Sequence, residues 1–181
     1  ISVTAFYKYI QNPIARTYTG SAAGFFSYEN ISDVAMVGGI ELEARKNIFN
    51  LTNSSLQKEN KLSIGLNASY IYSSIEVFDP SKNEAIKTQL EGAAPWLLNL
   101  DLSYNYAKKN TSFINSLVLS YFSDRIYSIG LLGFQDVIEK GIPTLNFVSI
   151  SNLSKHFSIK LKAKNLLDPE YLYTRKDAAG K

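Results

Sequence analysis

The stretch Lys61–Val77, KLSIGLNASYIYSSIEV, places Leu62, Ile64, Leu66, Ala68, Tyr70 and Tyr72 on one parity and Ser63, Gly65, Asn67, Ser69 and Ser73 on the other. Successive side chains of a β-strand point to opposite sides, so this is a strand period of two. It runs well past the usual strand of about 5–6 residues. Whatever fold the chain adopts must hide a long face of aliphatic and tyrosine side chains and accept small polar groups on the other side of the same strand.

The period recurs along the chain. Ile1, Val3, Ala5, Tyr7 and Tyr9 alternate with Ser2, Thr4, Phe6 and Lys8, and the run stops at Asn12-Pro13. A second extended segment is predicted from Phe25 to about Ile48, with Met36, Gly38, Ile40, Leu42 and Ala44 on one face and Glu41, Glu43 and Arg45 on the other. Its Gly38-Gly39 pair predicts a bend or bulge. The opening stretch is the third. The fourth, 95–108, sets Trp96, Leu98, Leu100, Leu102, Tyr104 and Tyr106 against Asn99, Asp101, Ser103 and Asn105; the others cover 111–123, 143–153 and 157–168. Seven antiparallel strands in up-and-down order follow, with no helical period of useful length.

The connections alternate in length, and that narrows the architecture. Short turns fall at 108–110 and 154–156 and a modest one at 50–59, whereas long polar loops cover 12–24, 78–95, 124–141 and the residues after 167. Short turns on one side, long loops on the other, an aliphatic face ending in tyrosines and an opposite face of Ser, Asn, Gly, Lys, Asp and Glu are the features of a transmembrane β-barrel of the bacterial outer membrane. A membrane strand needs about 9–11 residues to cross, so the third would project beyond the bilayer. Closure also satisfies backbone groups that lipid cannot. Single-chain barrels have even strand numbers, so at least one strand is expected outside these seven.

Composition removes other classes. No apolar run approaches the roughly 18 residues that mark a transmembrane helix. A net charge of +3 with scattered lysines leaves no footprint for nucleic acid. Without cysteine there is neither a disulfide framework nor a thiolate metal site. The first residues show no basic n-region or cleavage site, so a targeting signal is expected to be removed or to lie upstream. A soluble secreted β-sandwich adhesin stays open as the rival, in which the aliphatic parity packs against a second sheet.

Three phrases carry a family resemblance. GGIELEARKNI (38–48) resembles the G-x-E-L-E-x-R strand of TonB-dependent outer-membrane receptors, QLEGAAPWLLNLDLSY (89–104) resembles the L-Q-G-x-S-P loop and strand of their Bacteroidetes-type members, and KLKAKNLLDPEYLYTR (160–175) resembles the N-L-L-D-x-x-Y signature before the last barrel strand. The resemblance spans essentially the whole sequence. It implies the C-terminal portion of a roughly 22-stranded plugged barrel, of which residues 1–181 form part of one domain, with plug, earlier strands and last strand lying elsewhere. It implies import of a bound ligand energised through TonB, which acts on the plug, and external loops where ligand or a surface lipoprotein docks. A passive porin or a structural barrel of an outer-membrane complex is the alternative on the same fold.

The side chains that carry charge fall on the polar parity. Glu41, Glu43 and Arg45 at i, i+2 spacing share one strand face, and the expectation is a lumen-lining cluster that meets plug or water rather than a carboxylate pair for acid–base work. Asn67, Asn99 and Asp101 belong to the same face. Lys160, Lys162 and Lys164 make a basic stripe in the periplasmic half, expected to meet acidic groups of the plug or to guide an anionic ligand. His156 sits in a Ser-Lys-His turn with no partners for metal or catalysis. No catalytic activity, cofactor or metal is expected.

Overall fold

The computed structural model describes residues 1–18, 26–53 and 58–175, and none of these is helical. In chain order the strands are β1 (Ser2–Gln11), β2 (Ile14–Tyr18), β3 (Ser27–Asn30), β4 (Val34–Asn53), β5 (Lys58–Asp79), β6 (Glu84–Thr88), β7 (Trp96–Lys108), β8 (Thr111–Phe122), β9 (Arg125–Gly130), β10 (Val137–Glu139), β11 (Pro143–Asn152), β12 (Ser158–Ala163) and β13 (Tyr173–Arg175). The ladder β1-β4-β5-β7-β8-β11-β12 takes up the seven alternating segments in their sequence order, each antiparallel to the next. Its two edges, β1 and β12, are open, so the sheet is a wall and not a closed barrel.

The two parities of β5 are buried the opposite way from a soluble sheet. Ser63, Ser69 and Ser73 are only 9%, 5% and 6% exposed, while Leu66, Tyr70 and Tyr72 are 39%, 43% and 62% exposed. The small polar residues line the concave side. The aliphatic parity faces outward on β7 as well, where Trp96, Leu98, Leu100 and Leu102 are all exposed. In water this is the wrong way round, since small polar side chains are hidden while a contiguous row of large apolar ones is exposed. An apolar surrounding on the convex side would remove the contradiction.

Aromatic rings bound this outward band. Tyr70 and Trp96 are ladder partners with ring centroids 4.8 Å apart at the loop side, and Tyr106 and Phe113 are partners at 6.1 Å at the turn side. From Trp96 to Tyr106 is about 33 Å along the strand at ~3.3 Å per residue, or about 25 Å of height at a tilt near 40°, matching the roughly 25 Å of an outer-membrane apolar band.

Above Tyr72 the polarity of β5 reverses without a break in its ladder. Ile75 and Val77 continue the concave parity and are buried at 1% and 4%, while Ser74 and Glu76 take the outward side. On β4, Ala35 and Val37 are likewise buried while Met36 is exposed. The same strand thus turns its apolar parity outward below Tyr72 and inward above it.

The buried upper parity packs against a second sheet of order β13-β10-β9-β2-β3. Ala15, Ala35, Ile75, Val77, Ile126 and Ile129 form one core, with Ile10, Ile31, Leu90, Leu131 and Ile138 against it. Here the expectation from sequence is corrected: the long loops at 12–24, 78–95, 124–141 and beyond 167 contain β2, β6, β9, β10 and β13. Most of these join with β3 in one sheet, and β2 with β9 is a parallel pair through Thr17↔Ile129 and Tyr18↔Gly130. The second long segment begins later than predicted, at Val34, because Ser27–Asn30 turns away to pair with β2; its predicted start at Phe25 lies outside the described residues. The seventh strand is shorter than 157–168, ending at Ala163.

The predicted bulge at Gly38-Gly39 is also corrected. Pairing runs unshifted through Gly38↔Tyr72 and Gly39↔Ile71, and the shift lies between Asn47 and Phe49. Gly39 is needed for proximity instead, since a Cβ there would lie 2.7 Å from Phe6 Cε1 and Cζ and 2.5 Å from the Tyr70 carbonyl oxygen.

Candidate functional site

Register places six of the nine predicted site residues on one continuous patch of the concave wall. Glu43, Asn67 and Asn99 are consecutive ladder partners across β4, β5 and β7, and Arg45, Gly65 and Asp101 form the adjacent row. Glu41 pairs with Ser69 one step above. The Arg45 Nη2 lies 3.7 Å from Asp101 Oδ1. These two belong to strands that are not neighbours, and the pair closes only because β5 presents Gly65 between them: a Cβ there would lie 2.9 Å from Asp101 Cγ. A recess of about 200 Å³ follows the patch and is lined by Glu43, Arg45, Asn67, Asn99 and Asp101.

The lysines stand apart. Lys160 and Lys162 share the concave parity, paired with Ile150 and Val148, but β8 and β11 separate them from the acidic patch. Lys164 lies past the end of β12. There Asn165 takes a left-handed backbone (φ 54°), its N–H donates to Asn146 Oδ1 at 3.0 Å, and the next N–H, of Leu166, reaches the Leu145 carbonyl at 2.8 Å. His156 lies in the bend between β11 and β12, its N–H donating to Ser154 Oγ at 3.3 Å.

A second cluster has no counterpart in the sequence reading. Because the upper core lies between the second sheet and the buried parity of β4 and β5, the other face of the second sheet is turned away from the wall at its loop-side end, or mouth. Rings run across it in one chain: Phe134 to Tyr18 at 5.4 Å, Tyr18 to Phe26 at 5.7 Å, Phe26 to Tyr127 at 5.8 Å and Tyr127 to Tyr173 at 4.6 Å. The Arg16 guanidinium stacks 4.1 Å from the Tyr127 centroid and donates through Nε to the Tyr28 hydroxyl at 3.1 Å, while its backbone N–H donates to Glu91 Oε2 at 2.6 Å. Its Nη1 is buried without a hydrogen-bond partner, over ring π-density that is itself a weak acceptor.

Burial works against the Arg16 charge, but the Tyr28 hydrogen bond, with Tyr127 and Glu91 nearby, outweighs it and raises the pKa. Burial also pushes the Tyr173 phenol up, helped by Glu139, so it stays a protonated donor. Arg125 is neutralised by Glu139 at 2.7 Å, whereas Arg175 stacks 4.1 Å from Tyr18 with no carboxylate partner among the described residues. Among the described residues, the unpaired positive charge of this face is therefore at Arg175.

The wall with outward aliphatics, inward polar rows and a structured mouth agrees with a comparison against known families. Residues 1–166 match the family model described as TonB dependent receptor-like, beta-barrel. The chain belongs to the TonB-dependent receptor-like β-barrel family. No curated protein and no solved structure matches it. Proteins of the TonB-dependent receptor family are generally outer-membrane transporters, and the matched region is of their barrel domain. The family residues span all seven ladder strands and all of the second sheet except β13.

Proposed function

We propose that this chain is part of the wall of an outer-membrane receptor that imports a bound ligand by TonB-dependent active transport, and that it carries no catalytic step. The observation that supports the reading most is the reversed burial of β5, in which serines are hidden and Leu66, Tyr70 and Tyr72 exposed, on a chain of this family. That arrangement suits lipid outside and a hydrated lumen inside, and argues against the soluble sandwich.

In this reading the row Glu43, Asn67, Asn99 and the pair Arg45–Asp101 meet the plug, and the ring-and-arginine face of the mouth meets the ligand before it passes inward. A surface lipoprotein is a further partner of the same mouth. The passive pore remains the second reading, since the wall geometry serves both.

One uptake experiment separates the two. Depletion of medium components is compared between cells with the whole protein, cells lacking it and cells lacking TonB. The receptor reading expects at least one compound whose uptake is lost in both deletions. A compound lost only when this protein is deleted, with TonB irrelevant, makes the barrel a pore.

A further inference from the structure

A groove of about 660 Å³, larger than the lumen recess, opens on the outward side of the wall where the upper ends of β4 and β5, strand β6 and the β3–β4 connection meet. Its floor is Met36 beside its ladder partner Ser74, with Glu76 and Phe78 above and Lys87 opposite Glu76. All of these have outward parity. Tyr9 is the other ladder partner of Met36, and Tyr72 lies two residues below Ser74. Outward tyrosines mark the membrane interface, so the groove lies just above it, at the height of lipid headgroups.

The lining is mixed in a way that the fold does not need. Met36 and Phe78 are 45% and 55% exposed, and with Ala85, the ladder partner of Phe78, they form an apolar strip beside the polar side chains of the groove. Around them Asn12, Asn30, Asp33 and Glu76 offer side-chain donors and acceptors that have no hydrogen bond or ion pair among the described residues. These side chains are exposed, so an occupant that displaces water from them is matched best by hydroxyl-type partners and a non-polar face for the Phe78 ring.

Charge decides between headgroups. Asp33 and Glu76 outnumber Lys87, so the groove is net negative and disfavours phosphate, whereas carboxylates and amides accept well from hydroxyls. We infer that this groove holds the sugar headgroup of an outer-leaflet glycolipid, its hydroxyls on Asp33, Glu76, Asn12 and Asn30 and its ring face on Phe78. The inference rests on the membrane placement proposed above.

The test uses the whole protein in nanodiscs of phosphatidylcholine doped equally with a monoglycosyl diacylglycerol and phosphatidic acid, followed by native mass spectrometry. The glycosyl lipid is expected as the retained adduct. Ser74→Trp, which fills the groove from its floor, should abolish it, and Asp33→Ala with Glu76→Ala should lower occupancy at least about tenfold, as loss of two hydrogen bonds to the sugar predicts. Heat-modifiable mobility shows whether each variant is folded, and the double variant keeps the test valid if Ser74→Trp misassembles.

Preference for phosphatidic acid, equal retention in folded variants, displacement by the free monosaccharide, or a co-purified polypeptide over the groove would each overturn the inference. Wild-type protein that inserts but retains no glycolipid overturns it and leaves the receptor reading standing. Failure to insert into nanodiscs at all, with full solubility in buffer, removes the receptor reading instead.

Discussion

Leu100 and Asn99 are neighbours in sequence on opposite sides of the wall, which makes them a matched pair for asking what solvent each side meets. Leu100 lies midway between Trp96 and Tyr104 on the outward parity of β7, about 10 Å of height from either ring at ~3.3 Å per residue and a tilt near 40°. That is the middle of the apolar band. Leu100→Lys should therefore carry nearly the full midplane penalty for a cation on the lipid face, about 2–4 kcal/mol, whereas Asn99→Lys, on the lumen side, should stay within about 0.5 kcal/mol. As an equilibrium ratio the first is about thirtyfold to nearly a thousandfold. The assay is reversible denaturant unfolding of the whole protein from lipid vesicles, read by heat-modifiable mobility and tyrosine fluorescence. Equal stability of the two variants, or a costless Leu100→Lys, would refute the lipid-facing assignment, because a half-exposed leucine on a water-soluble surface tolerates lysine.

The other predictions are local. Gly39→Ala should destabilise the wall by about 1–3 kcal/mol, since its Cβ meets the fixed Tyr70 carbonyl and the Phe6 ring, while Gly38→Ala, with nothing nearer than 3.5 Å, should be nearly neutral in the same unfolding assay. Asn165→Val should cost about 1–2 kcal/mol because a β-branched residue resists the left-handed backbone, and Asn165→Gly should recover part of that. The Gly141 N–H at 2.8 Å and Lys140 at 2.7 Å hold the Asp124 carboxyl below its ordinary pKa, so its stabilising effect is fully present above about 3.9 and is lost as pH falls through the lower folded value. Hydrogen exchange at the Gly141 amide should accelerate over that acid range, and Asp124→Asn should remove the pH dependence.

How much of this was legible in the sequence depends on the distance over which each signal acts. The seven wall strands and their faces were readable because each side chain reports its own solvent: Leu62 to Tyr72 alternate with Ser63 to Ser73 whatever the partner strand is. The acidic patch followed, since Glu43, Asn67 and Asn99 share a parity, although their alignment in one row needed the register. The mouth was not readable. Ile14–Tyr18 alternates too, but its buried members are Ala15 and Thr17, too small to stand out from a loop, and its partners come from residues more than a hundred positions away in β9. The aromatic chain from Phe134 to Tyr173 is assembled from four separate segments and has no spacing of its own. Gly38-Gly39 misled because a glycine pair reads alike whether it serves a bulge or a close approach.

The reversal of polarity above Tyr72 works as a depth gauge. The aliphatic parity ends there, so the bilayer edge has one favoured position along β4 and β5, and moving that end by a single period of two residues would raise or sink the barrel by about 5 Å. The second sheet is welded to the wall immediately above this mark, and its elevation over the cell surface is set by the same few residues. Outward substitutions at Tyr70 and Tyr72 would therefore change how far the mouth stands out from the membrane, and with it which large molecules can reach it, without altering the ring-and-arginine face itself.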